Sequence, residues 1–115
     1  MQETSPGVSL DQFAAVDMRV GTIVRAQAAA GARKPAYQLW IDLGVLGVLQ
    51  SSAQLTQHYQ PESLVGKQVI VVVNLGERRI AGFLSQCLVL AAVSEEEGTI
   101  LLEPERAVAN GTRIS

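Results

Sequence analysis

Two adjacent guanidinium groups, Arg78 and Arg79, follow the turn formers Asn74 and Gly76, directly after the apolar run 69–73. A strand that ends in such a turn delivers its next side chains to the mouth of whatever the sheet encloses. Paired arginines there suit phosphate, because each guanidinium offers a planar fork of donors. A second basic pair, Arg33 and Lys34, falls in the loop 28–35. Neutral hydroxyl and amide groups accompany them at Gln50, Ser51, Ser52, Gln54, Asn74 and Ser85. This is the inventory of an anion-binding surface. Each member also has a plainer reading: the arginines as solvated loop charges, Ser51, Ser52 and Gln54 as helix-capping groups, Asn74 as a turn residue, Ser85 as an edge-strand hydroxyl.

The same residues do not assemble a catalytic set. His58 is the one histidine, with no Cys or carboxylate at ligand spacing, so no metal is expected. No Ser–His–Asp or Cys–His arrangement stands out. The glycines are scattered and form no phosphate loop. Cys87, the one cysteine, reads as a small buried hydrophobe. The Glu95-Glu96-Glu97 run reads as a solvated turn rather than an acid–base pair. The chain is expected to be no enzyme and to need no cofactor. Trp40 either stacks on a nucleic-acid base or packs beneath a terminal extension or in a dimer seam.

The elements that position these residues follow from period and punctuation. Residues 1–8 read as a flexible arm and 9–115 as a single domain. Ser9 and Gln12 form a capping box for a short helix over 10–15, with Val8 and Phe13 placed as a hydrophobic staple. Residues 17–26 alternate as a strand, and Gly21 offers it a place to bend. Residues 37–43 alternate with Leu39, Ile41 and Leu43 on one side and Gln38, Trp40 and Asp42 on the other. Gly44 and Gly47 bracket a turn before a third strand, 48–52. A short helix is expected over 53–59, capped by Ser52 and stopped before Pro61, with a turn over 62–66. Residues 67–73 read as a strand whose run 69–73 is apolar on both faces, and so as a central one. Gly82 suggests a bulge or a close backbone approach. Residues 99–102 form a further strand, and Asn110-Gly111 is a tight-turn signal.

Three strands, a short helix and two more strands, with short terminal extensions, make an all-β chain. They match the five-stranded Greek-key barrel of the OB type, whose helix lies between the third and fourth strands. In that architecture the loops after the first and fourth strands flank the binding face. Here those loops carry Arg33 with Lys34 and Arg78 with Arg79.

Composition narrows the partners. The 115 residues are 48% hydrophobic and only 4% aromatic, so the core is aliphatic. Net charge is −2, but residues 17–90 carry seven basic groups against four acidic ones, while 91–115 are net acidic. A patch of that size holds a few phosphates and would not coat a long duplex. No apolar run is long enough to span a bilayer. The N-terminus lacks the basic start and apolar stretch of a secretory signal, so a cytoplasmic location is expected.

Four stretches also resemble a known family: residues 17–23, Gln50-Ser51-Ser52-Ala53-Gln54, Asn74-Leu75 with Arg78-Arg79-Ile80-Ala81-Gly82, and Ser85 before Leu88-Val89-Leu90. They are similar to the small tRNA-binding domain family, and within it to the CsaA-type branch of export-related chaperones. The resemblance runs over residues 9–114. It implies an OB-fold homodimer joined through the terminal elements. It implies tRNA as a partner, and for that branch unfolded polypeptides or the export machinery. Glu77 beside the arginines departs from a purely positive loop.

Overall fold

Strand β1 (Met18–Ala28) is the spine of the sheet in the computed structural model, which describes residues 5–31 and 35–115. Its first half, 18–22, pairs antiparallel with β4 (Gln68–Val72), and its second half, 22–28, with β2 (Tyr37–Asp42). β2 and β4 lie on opposite edges of β1, and the strand bends where one pairing gives way to the other. The bend comes where the register slips between Ile23 and Arg25, a bulge that leaves Val24 46% exposed. Gly21, where the sequence suggested flexibility, meets a packing constraint instead. A Cβ there would lie 2.6 Å from Ile41 Cγ2 and 2.7 Å from Leu43 Cδ2.

Strand order is β3-β2-β1-β4-β7, with β3 spanning Val48–Ala53, β7 spanning Leu88–Val89 and β10 (Arg113–Ile114) pairing with Met18–Arg19 of β1 opposite β4. Alternation sends Tyr37, Leu39 and Ile41 into the core, where they meet Ile23, Leu43, Leu55, Leu64, Val69, Val71 and Cys87. Burying each large aliphatic side chain contributes about 1.5–3 kcal/mol. β4 lies between β1 and β7, and Val69 to Val72 are all buried, as an apolar run without alternation requires. The barrel closes by isolated backbone and side-chain bonds rather than by a full ladder. Gln86 N–H donates to the Gln50 carbonyl at 2.7 Å, and Ser51 Oγ donates to the Cys87 carbonyl at 2.8 Å.

The helix between β3 and β4 occupies its expected place in the topology but not its expected residues. Residue 53 continues β3, and the helix α2 is Pro61–Leu64. Proline lacks the N–H that a first helical turn leaves unpaired, so it starts this helix rather than stopping one. Ser63 Oγ secures the cap, accepting from the Gln60 N–H at 3.2 Å and donating to the Gln60 carbonyl at 2.9 Å. Residues 54–60 are held as irregular chain by buried Leu55 and by Tyr37 Oη, which donates to the Tyr59 carbonyl at 2.7 Å. Ser52 therefore caps nothing; its N–H donates to Ser85 Oγ at 3.1 Å.

Two hairpins extend the barrel. β5 (Arg78–Ile80) and β6 (Phe83–Ser85) are joined by Ala81 and Gly82, both at positive φ, 51° and 81°. Gly82 is thus a turn corner of the primed type that matches strand twist, not a bulge. β8 (Ala91–Ser94) and β9 (Gly98–Leu101) flank the acidic turn. At the N-terminal side α1 (Leu10–Ala15) has the capping box its sequence announces, yet none of its residues is buried and Val8 stays exposed. Among the described residues no helix is long and apolar enough to cross a membrane.

Candidate functional site

The β5–β6 hairpin leans over the edge of β3 and encloses a cleft of about 320 Å³. Ser52, Ser85, Glu77 and Arg78 supply its polar groups; Leu75, Ile80, Cys87 and Leu88 supply its apolar wall. Arg78 and Ser85 are cross-strand partners, so alternation places both on the face that Ile80 shares. Arg79 pairs with Leu84 and is absent from the lining. Adjacent in sequence, the two arginines serve opposite faces of the hairpin. Arg79 Nη1 donates to the Gly82 carbonyl at 3.2 Å, which ties it to the turn.

Electrostatics at the cleft are set by what the arginines lack. The ion pairs among the described residues are Arg19–Asp17 and Arg106–Glu105. Arg78 and Arg79 are exposed and join neither. Glu77 lines the same cleft, but its Oε2 accepts from Gln86 Nε2 at 3.2 Å rather than from an arginine. At the cleft floor Cys87 is buried, and burial pushes its thiol up to about 12, partly opposed by its bond with Ser51. It is a protonated wall group at neutral pH.

The other polar residues named from sequence separate into distinct places. Ser51 is 1% exposed and points into the core, its hydroxyl spent on Cys87. Gln50 braces the closure: its Oε1 accepts from Trp40 Nε1 at 3.2 Å and its Nε2 donates to the Leu84 carbonyl at 3.0 Å. Asn74 is a latch, donating to the Ala15 carbonyl at 2.7 Å and accepting from Asp17 N–H at 2.9 Å. It ties the end of α1 to the end of β4 and is not part of the cleft lining. Gln54 is exposed beyond β3. Arg33 and Lys34 lie outside the described residues.

Arg25 and Phe83, which no motif singled out, come together with Trp40 on the outer face. The Arg25 guanidinium carbon lies over the Trp40 ring, 4.4 Å from its centroid, and Phe83 meets that ring edge-on with centroids 5.4 Å apart. Among the described residues Trp40 packs against Arg25 and Phe83 rather than beneath a terminal extension. The outward alternation of Gln38, Trp40 and Asp42 was the one signal for it; its partners come from β1 and β6 and carry no local sequence signature. Among the described residues no three His, Cys, Asp or Glu side chains gather as a metal site.

A barrel of this strand order, with its cleft between a loop hairpin and the third strand, defines a binding module of the OB type. Residues 18–113 match the family model described as "Putative tRNA binding domain". The chain belongs to the tRNA-binding domain family. It is 39% identical over 112 residues to the methionine–tRNA ligase of Chlorobium chlorochromatii (strain CaD3), a match that takes in 97% of this chain and 16% of the ligase. The chain thus spans about one sixth of the length of such ligases. Its fold superposes on the chaperone CsaA of Bacillus anthracis strain Ames with a TM-score of 0.90 and 44% identity, covering 96% of this chain and all of that one. The CsaA chaperone protein of Picrophilus torridus gives 0.88 and 37%, covering 95% of this chain and all of that one.

Proposed function

We propose that this chain is a non-catalytic tRNA-binding protein of the CsaA type, which holds structured tRNA through the β5–β6 cleft. The observation that carries the reading is Arg78, exposed and without a carboxylate partner among the described residues, set beside Ser52 and Ser85 in a chain of this family. Arg79, on the other face of the hairpin, extends the positive surface past the cleft. Arg33 and Lys34, in the loop after β1, would flank the same face. Ser52, Gln54 and Ser85 offer neutral donors and acceptors to sugar and phosphate, while Gln50, Ser51 and Asn74 act through the framework that they hold together. A homodimer would present two such surfaces to one tRNA and raise affinity by linkage. The work is that of a cytoplasmic protein, with no cofactor.

The test is a titration of labelled tRNA across salt concentrations. Phosphate contacts release counterions, so affinity should fall steeply with salt. Replacing both arginines, Arg78→Ala with Arg79→Ala, should weaken binding by about 1–3 kcal/mol and flatten the slope. Unchanged affinity and slope would remove the cleft as the RNA site.

A second reading rests on the apolar wall of the cleft, Leu75, Ile80, Cys87 and Leu88, and on the two CsaA chaperones that share the fold. In it the cleft holds extended polypeptide before export. Such binding should depend little on salt. A labelled unfolded polypeptide that binds at every salt concentration where tRNA does not would favour it.

A further inference from the structure

A cation stacked on the sheet's outer face offers a separate contact. Register aligns Arg25 of β1, Trp40 of β2 and Gln50 of β3 in one row, and Gln27, Gln38 and Ser52 in the next. Arg25 is exposed, yet its position is held by two contacts, one of them braced in turn. Its guanidinium lies over the indole, Nη2 donates to Gln27 Oε1 at 3.1 Å, and Gln27 Nε2 donates in turn to Gln38 Oε1 at 2.9 Å. Trp40 is itself fixed by Gln50 and by the edge of Phe83. Among the described residues no carboxylate pairs with Arg25, so neither its charge nor its outward face is spent. Exposed arginine ordinarily loses much rotamer freedom on binding; here the framework has already removed it.

We infer that Arg25, backed by Trp40, is a stacking site for an unpaired RNA base, with Gln38 beside it to meet the base edge. The inference rests on the RNA reading of the preceding section and deepens it: the partner must expose at least one unstacked nucleotide. A guanidinium laid on an aromatic ring turns its outer plane to solvent, and unpaired bases stack on such planes. Phosphate would instead take the guanidinium edge, where Gln27 occupies one Nη2 donor and leaves the others free, so the stacked plane is what sets this site apart and the Arg25 variants separate the two contacts. Gln38 Nε2 has no partner among the described residues and can donate to an acceptor on the base.

Trp40 is the one tryptophan of the chain, so its fluorescence reports on this spot alone. The full chain would be titrated with tRNA, with a single-stranded RNA heptamer, and with a blunt RNA duplex lacking unpaired nucleotides. Arg25→Lys keeps the charge and loses the plane; Arg25→Gln loses the charge. Both sit on an exposed side chain, and thermal unfolding checks that they fold. The heptamer and tRNA should change Trp40 emission and the duplex should not. Arg25→Lys should weaken the heptamer and tRNA about five- to tenfold with an unaltered salt slope, as loss of a stacked base predicts. If tRNA binds the wild type without changing emission, and Arg25→Lys binds equally well, the stacking site is wrong while the tRNA reading stands. If Arg25→Lys is neutral but Arg25→Gln flattens the salt slope, the contact is to phosphate and the stacking inference falls. If the wild type binds the heptamer with an emission change but ignores tRNA, the stacking site stands and the tRNA reading fails. No emission change with either RNA, and no binding, overturns both.

Discussion

Asp17 and Arg19 sit where three parts of the chain meet. Arg19 Nε donates to Asp17 Oδ1 at 2.6 Å, Nη2 to Oδ2 at 3.3 Å, and Nη1 to the Gly111 carbonyl at 3.0 Å. The Asp17 backbone meets Asn74 and Val73, so this pair knits the end of α1, the end of β4 and the C-terminal turn. The bond from Arg19 holds the Asp17 carboxyl below its ordinary value of 3.8, with Arg113 adding a smaller pull. A carboxyl depressed in the folded state contributes stability above the unfolded value, lost as pH falls through the depressed one. Asp17→Asn should therefore be less stable than wild type at neutral pH, and the difference should shrink below about pH 4 and vanish in stronger acid. Urea unfolding of both proteins across pH checks this; a gap that persists unchanged into acid would refute it. Salt should narrow the neutral-pH gap, because the pair is partly solvated.

At the scale of elements, the bend of β1 is the feature on which the barrel depends. The bulge at Val24 turns the strand, while Gly21 lets β2 pass close by. Ile41 and Leu43, which a new Cβ at residue 21 would strike, are themselves fully buried and have nowhere to go. Gly21→Ala should cost about 1–3 kcal/mol through overpacking. Chemical denaturation would show a lower midpoint at an unchanged slope; a neutral result would mean that the β1–β2 contact yields. The β5–β6 hairpin is built differently. It stands on its primed turn, on the contact of Phe83 with Trp40, and on the bond from Gln50 to the Leu84 carbonyl. Its arginines are carried by an element whose own core contribution is small, so they can be replaced with little effect on folding.

For the whole molecule, the unsatisfied element is α1. A six-residue helix is not stable by itself. It is tied down at its C-terminal end, where Asn74 reaches the Ala15 carbonyl and Arg113 Nη2 donates to the Ala14 carbonyl at 2.7 Å. Its apolar side chains remain uncovered: Leu10 is 85% exposed and Phe13 44%. Phe13, Ala14 and Val16 line a depression of about 330 Å³ with Arg113, Ile114 and Ser115. We propose that a second copy of the chain covers this face about a two-fold axis, where the same patch meets itself. Sedimentation at micromolar concentration should give a dimer of the 12.3 kDa chain, and Leu10→Asp should shift it toward monomer. A monomeric wild type would sink this proposal.

Local order was legible in the sequence. The Ser9–Gln12 box, the alternation of 37–43, the two-sided apolar run before Asn74 and the Asn110-Gly111 turn each depend on neighbours a few residues apart, and each appears as read. Together they sufficed for an OB-type barrel. The helix after β3 was misplaced because Pro61 admits two readings, stop or start, and the burial of Leu55 and the bond from Tyr37 to Tyr59 decide between them. Side-chain destinations were decided only by the closed barrel. Arg78 and Arg79 part to opposite faces because a two-residue turn makes their segment a strand with a period of two. Asn74 becomes a latch because α1 returns to the end of β4, 59 residues away along the chain. Arg25, Trp40 and Phe83 belong to three strands: the first two meet through β1–β2 register, and Phe83 joins them only when the hairpin folds over the sheet. Periodicity and capping act over a few residues, whereas contacts between distant segments are set by sheet register and closure, which no local pattern encodes.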